Sequence, residues 1–132
     1  MRDNHDGLPE IINAYERDGH FFCSTALTIG KETRVIEFGI NQDSYKAIKH
    51  ILGMRPFEQF PGAKYRYFFS PGARRDAKDR SKTYCSVRIE QEKRGKEFEV
   101  AAPEPLIANF MWFFKVKKFK ELAHLKEIVE EG

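Results

Sequence analysis

Apolar residues recur along the chain with two periods, one helical and one strand-like. Leu8, Ile11, Ile12 and Tyr15 stand three and four apart, with Pro9 early and Gly19 as a stop, which predicts a short amphipathic helix over 8–17. Strict alternation then takes over. Phe21, Cys23, Thr25, Leu27 and Ile29 share one strand face, and Ile36, Phe38 and Ile40 share another, so 21–29 and 34–40 read as a hairpin turning at Gly30-Lys31-Glu32. A second helix is predicted over 44–52, capped by Asp43 or Ser44, carrying Tyr45, Ile48, Ile51 and Leu52 on one stripe and ending at Gly53.

A connector with Pro56 and a Pro61-Gly62 turn follows, with Phe57 and Phe60 tucked under it. Strands are predicted at 65–69, 84–90 and 97–101. The last two are joined by a turn at Arg94-Gly95, and "SPG" at 70–72 reads as the turn that closes the first. The stretch 70–82 therefore reads as a long hairpin loop. Pro103 and Pro105 suit the start of a helix over 105–129, although "MWFFKVKKF" also alternates well enough for a strand, with a break between Lys115 and Lys118. No internal repeat is evident. The result is a single α+β domain over 1–132, in the order α-β-β-α-β-β-β-α, with a mostly antiparallel sheet of about five strands and helices on one face.

Length and composition support one core rather than two: 132 residues, 41% hydrophobic and 33% charged, with 12 Phe, 5 Tyr and 1 Trp to bury. No apolar run approaches the roughly 18 to 20 residues that span a bilayer, and the polar, acidic start "MRDNHDGLPEII" is unlike an export signal, so a cytoplasmic protein with no membrane partner is expected. Cys23 and Cys85 both fall within predicted strands and are expected to be reduced.

Charge placement changes the picture more than net charge does. The chain is only +3 overall, yet 64–82 carries +5 and "KVKKFK" at 115–120 carries +4, which leaves the remainder at −6. Arg74, Arg75 and Arg80, flanked by Lys64 and Arg66, are the candidate anion-binding side chains, because guanidinium forks match phosphate geometry. Tyr65 or Tyr67 would offer a stacking surface for a base. Period 2 places Tyr65, Tyr67 and Phe69 on one face of their strand, with Arg66 and Phe68 on the other. The plainer reading is a solvated loop whose arginines pair with Asp76 and Asp79.

Chemical motifs are sparse. Neither a phosphate loop nor a dinucleotide fingerprint occurs, and His5, His20, His50 and His124 lie on separate elements, so neither cofactor nor metal is expected. No nucleophile elbow is present either, which favours binding over catalysis. Phe110, Met111, Trp112, Phe113 and Phe114 are consecutive and would make a helix apolar all round, pointing to a homodimer interface. Three functions compete: a module contacting an anionic partner such as nucleic acid through 64–82, a homodimeric interaction domain using an aromatic sheet face or the 105–129 helix, and a small enzyme or ligand carrier with an aromatic pocket.

Overall fold

A computed structural model describes residues 8–57, 62–79, 82–115 and 118. The expectations that fall on Phe60, on Arg80, on Lys117, on Lys120 and on the continuation of the last helix to 129 lie outside the described residues. The elements are β1 (Glu10–Arg17), β2 (His20–Ile29), β3 (Glu32–Ile40), α1 (Gln42–Leu52), β4 (Tyr65–Arg75), β5 (Thr83–Gln91), β6 (Arg94–Ala101) and α2 (Glu104–Phe113). All six strands form one open antiparallel sheet in the order β3-β2-β1-β4-β5-β6. Among the described residues no helix is long and apolar enough to cross a membrane.

Five expectations about the elements need correction, one being the cap of α1, which is Asn41, accepting from Ser44 N at 2.8 Å, and not Asp43 or Ser44. The segment predicted as a helix over 8–17 holds a strand, β1, whose register against β2 shifts between Ile11 and Asn13. A bulge inserts one residue. It turns Ile11 and Ala14 inward, 2% and 0% exposed, leaves Ile12 46% exposed and sets Tyr15 against Phe22 on the other face, so Ile11, Ile12 and Tyr15 share no stripe. The supposed helix stop is a two-residue Asp-Gly hairpin turn, with Asp18 at φ 54° and Gly19 at φ 81°.

The "SPG" segment likewise lies inside β4. Pairing with β5 passes from Ser70↔Ser86 to Ala73↔Cys85, so Pro71 and Gly72 bulge out and the strand runs on to Arg75. Proline is tolerated there because a bulged residue need not donate to the ladder. The connection to β5 shortens to residues 76–82. The turn between β5 and β6 falls at Glu92-Lys93, and Arg94 and Gly95 already belong to β6. A Cβ on Gly95 would lie 2.5 Å from Nη2 of Arg88, the far end of a flexible side chain that can move aside. Finally, α2 ends at Phe113, just ahead of the predicted break.

The two halves of the chain share one β-β-β-α order, and from the second strand of each onward they correspond position by position. Adding 62 to every residue number in the β2–β3 ladder from Phe22↔Gly39 to Ile29↔Glu32 reproduces the β5–β6 ladder from Tyr84↔Ala101 to Gln91↔Arg94, pair by pair. The same offset carries the first residue of α1, Gln42, onto that of α2, Glu104, and the buried Ser44, Ile48 and Ile51 onto the buried Leu106, Phe110 and Phe113. The first strands, β1 and β4, meet antiparallel at the centre, so the sheet has an approximate two-fold arrangement.

Both helices lie on one face. The ring of Phe110 stacks 4.4 Å from Phe69 on β4 and meets Phe38 on β3 edge-on at 5.9 Å. Flat strands that far apart in the sheet would be separated by about 14 Å, so the sheet curls around α2. Among the described residues the opposite face carries no helix.

Candidate functional site

Two different surfaces receive the residues singled out from the sequence. Alternation along β4 turns Tyr65, Tyr67 and Phe69 towards the helices and Arg66, Phe68 and Ser70 away from them. The tyrosines and the arginine therefore do not form a common platform.

On the helix side, the chain leaving α1 folds back over the start of β4. Gly53 closes the helix, and Arg55, two residues on, donates from Nη1 to the carbonyls of Leu52 (2.8 Å) and Met54 (2.9 Å). The same nitrogen donates to the hydroxyl of Tyr67. That hydroxyl has one proton to give and two carbonyls in reach, Met54 at 2.8 Å and Leu52 at 3.1 Å. Tyr67 is thereby the hub that ties the helix end to the sheet. Burial pushes its phenol above the ordinary value, with the nearby Arg55 charge opposing.

Next to it, the hydroxyl of Tyr65 accepts from Phe57 N at 3.0 Å and donates to the carbonyl of the same residue. Three rings consequently form a short stack: Phe57 on Tyr65 with centroids 6.5 Å apart, and Tyr65 on Tyr67 at 6.2 Å. The Arg55 guanidinium sits 5.0 Å from the Tyr65 centroid, within cation–π range. Arg55, Phe57, Lys64, Tyr65, Tyr67 and Gln91 line an open cavity of about 520 Å³. Gln91 is 2% exposed, and its amide nitrogen reaches Ala63 O at 3.5 Å. Among the described residues no carboxylate pairs with Arg55 or Lys64.

The helix-free face is built differently. Arg66 grips Glu10 through Nη2 at 2.8 Å and Nε at 3.2 Å while lying 4.9 Å over Phe68. Arg74 Nε holds Glu99 Oε2 at 2.6 Å and lies 4.6 Å over Tyr84. In the other half Arg17 lies 4.9 Å over Phe22 and 3.7 Å from Glu37. Since 62 residues separate Phe22 from Tyr84 and Glu37 from Glu99, the ring and the carboxylate of the two clusters stand at equivalent places, while the arginines, 57 residues apart, come from β1 and β4. Arg88 and Glu90 add a further pair at 2.8 Å. Cation is matched by carboxylate across this face, so it presents no uniform positive field.

The predicted anion-binding set is thus divided. Lys64 lies at the cavity, Arg66 and Arg74 hold glutamates on the far face, Arg75 contributes backbone to β4 with its side chain outside the described residues, and Arg80 lies outside them altogether. Of the five aromatic and apolar residues expected at an interface, Phe110 and Phe113 are 0% and 1% exposed in the chain's own core, while Met111, Trp112 and Phe114 are half-buried around it. Arg55 was not among the residues singled out from the sequence. Its signal was positional: a cation just past a helix C-terminus is placed to hold the last carbonyls.

Cys23 and Cys85, equivalent under the same offset, are free and buried, and burial pushes their thiols up to about 12 and about 11. Such thiols are poor nucleophiles. Among the described residues no three His, Cys, Asp or Glu side chains are grouped to hold a metal ion. The chain matches no protein-family model, no curated protein and no solved structure.

Proposed function

We propose that the protein is a binding module for a small anionic molecule with a flat ring, taken up in the cavity between the end of α1 and the start of β4. The observation that carries this reading is the meeting of two cations without a carboxylate partner among the described residues, Arg55 and Lys64, with the Phe57–Tyr65–Tyr67 stack. Mostly apolar walls with a few convergent polar groups are the usual character of a small-molecule site. The rings would take the flat part of the ligand, and the cations its phosphate or carboxylate.

Contact with a long nucleic acid through Arg66 and Arg74 is the weaker reading. Those guanidiniums already hold Glu10 and Glu99, and phosphates approaching them would also meet the carboxylates.

Adenosine 5′-monophosphate and anthranilate, one phosphate and one carboxylate probe, should each be titrated against the protein with the backbone amides of residues 64–67 followed by NMR. Saturable shifts are expected, with Lys64→Ala weakening binding at least about tenfold, or 1.4 kcal/mol. Arg55→Ala should weaken it too, but also removes contacts to Leu52 O, Met54 O and the Tyr67 hydroxyl, so Lys64→Ala is the cleaner variant. Shifts absent with both probes, or affinities unmoved by Lys64→Ala, would overturn the reading.

A further inference from the structure

Arg55 differs from five other arginines of the chain in what its guanidinium holds. Arg17, Arg34, Arg66, Arg74 and Arg88 each set Nε, Nη2 or both against a glutamate, and Arg66 uses the two nitrogens together on Glu10, at 3.2 and 2.8 Å. Arg55 instead turns Nη1 to the end of α1, where its two hydrogens meet three acceptors: Leu52 O, Met54 O and the Tyr67 hydroxyl. Among the described residues nothing accepts from its Nε and Nη2, the edge that carries three of the five N–H donors and takes two oxygens side by side. Contacts to the helix end thus hold the guanidinium 5.0 Å from the Tyr65 ring centroid and leave its fork open.

Resting on the reading of this cavity as a site for an anion with a ring, we propose that the anion is a terminal phosphate monoester, with two of its oxygens on the Arg55 fork and the third on Lys64. Oxygen count separates the candidates. A monoester phosphate has three terminal oxygens, whereas a carboxylate or a phosphodiester has two, and the fork alone uses both. Charge separates them in the same direction. Two cations, less about half a charge from the C-terminal end of α1, leave about +1.5, close to the roughly −1.5 to −2 of a monoester at pH 7 and above the single charge of the other two.

The chain supplies no counter-charge of its own. Burial raises the Tyr67 phenol above its ordinary value, so the hydroxyl beside Arg55 is neutral near pH 7, and among the described residues no carboxylate pairs with either cation. The body of a nucleic-acid strand offers diesters and is excluded by the same count of oxygens and charge. A cavity of about 520 Å³ is also of the size that small molecules occupy. Arg55 and Lys64 are both exposed, so salt screens their attraction and the preference is greatest at low ionic strength.

The test is calorimetric titration at low salt with adenosine 5′-monophosphate, its 5′-methyl ester and anthranilate, on the parent chain and on Lys64→Gln and Arg55→Lys, each checked for folding by circular dichroism. The parent is expected to bind the monophosphate at least about tenfold tighter than the ester, which has one charge and one free oxygen fewer. Lys64→Gln should bring the two close to parity. Arg55→Lys keeps a cation that can reach the helix carbonyls but has no fork, and it should weaken the monophosphate at least about tenfold. Monophosphate and ester bound alike, or anthranilate bound without the monophosphate, overturns this inference and leaves the cavity as an anion site. So does a preference untouched by Lys64→Gln, or a monophosphate affinity untouched by Arg55→Lys. Saturation by none of the three overturns both readings.

Discussion

Glu92 stands at the corner of the β5–β6 turn where Gly30 stands at the corner of the β2–β3 turn, and the two share a left-handed backbone, φ 56° and φ 63°. Glycine takes that conformation freely, whereas a side chain with a Cβ meets the following carbonyl at a cost of roughly 1 kcal/mol. Glu92→Gly should accordingly stabilise the protein by about 0.5–1 kcal/mol, part of the gain being returned to a more flexible unfolded chain. Gly30→Ala should destabilise it by about 1 kcal/mol although no atom lies within 4 Å of the added Cβ. Chemical denaturation of both variants checks the pair: opposite signs are expected.

Phe110 is the keystone of the curled sheet, fully buried against Phe69, Phe38 and Phe113. Phe110→Ala should cost about 3–5 kcal/mol, a large share of the total for a domain of this size. Phe114, half-buried at the edge of the same cluster, should cost less than half as much on truncation. Thermal melts of the two variants, read against the parent, give the ratio.

The reach of the sequence can be judged from individual residues. Period-2 alternation over 21–29 and again over 84–90 survives because both strands are regular over that length and bury one face. β1 was hidden by its bulge, since the inserted Ile12 breaks the alternation beside Ile11 and makes Ile11, Ile12 and Tyr15 imitate a helical spacing. The structural repeat is not visible in the residue names: across 21–51 and 83–113 only Cys23/Cys85, Ser24/Ser86, Lys31/Lys93 and Glu37/Glu99 are identical. What the halves share is the backbone pairing and the choice of places that face inward, which the alphabet of residue names conceals. Half of the cavity was legible in the same way. Lys64, Tyr65 and Tyr67 stand close together in the chain, but Arg55 arrives from the end of α1 and only the fold brings it to them.

Tyr67→Phe removes the hydroxyl that joins Arg55 to the end of α1 while leaving the ring in place. One carbonyl loses its donor and the guanidinium an acceptor, so a loss of about 1–2 kcal/mol is expected, with weaker binding of any ligand that uses Arg55. The phenol also supplies a spectroscopic check. Burial holds its pKa above the ordinary value of 10, so its share of the stability is present below that pH and is lost as pH rises through the folded-state value. In an ultraviolet titration two tyrosines should ionise late, Tyr15 held up by its hydrogen bond to Glu37 and Tyr67 by burial, and one of the two late steps should vanish in Tyr67→Phe.

Cys23 and Cys85 should resist an aromatic disulfide reagent at about pH 8 and react only when the protein is unfolded. Their thiols, pushed up to about 12 and about 11 by burial, hold almost no thiolate at that pH. The neutral form is the one the fold prefers, so this contribution to stability is intact below about pH 9 and fades as pH climbs through about 11. A count of two reactive thiols in denaturant, and none without it, is the expected result. Cys85 should yield first as pH is raised, since its shift is the smaller.

Arg74 and Glu99 give the pH dependence of the helix-free face. The hydrogen bond from Arg74 favours the charged carboxylate and holds the Glu99 carboxyl below its ordinary range, partly offset by desolvation. A depressed carboxyl contributes stability above its unfolded value, about 4.3, and that contribution disappears as pH falls through the lower folded-state value. Both side chains are about half exposed, 52% and 53%, and exposed pairs add little to folding. A titration is therefore a better measurement than a melt. Carboxyl-carbon NMR should find the midpoint of Glu99 below that of an unpaired glutamate, and Arg74→Ala should return it upwards. Tyr84→Leu should return it part of the way, because the ring 4.6 Å beneath the guanidinium restrains where Arg74 can point. A midpoint that ignores Arg74→Ala would mean that in solution the arginine leaves Glu99, and a guanidinium so released would revive phosphate binding on this face.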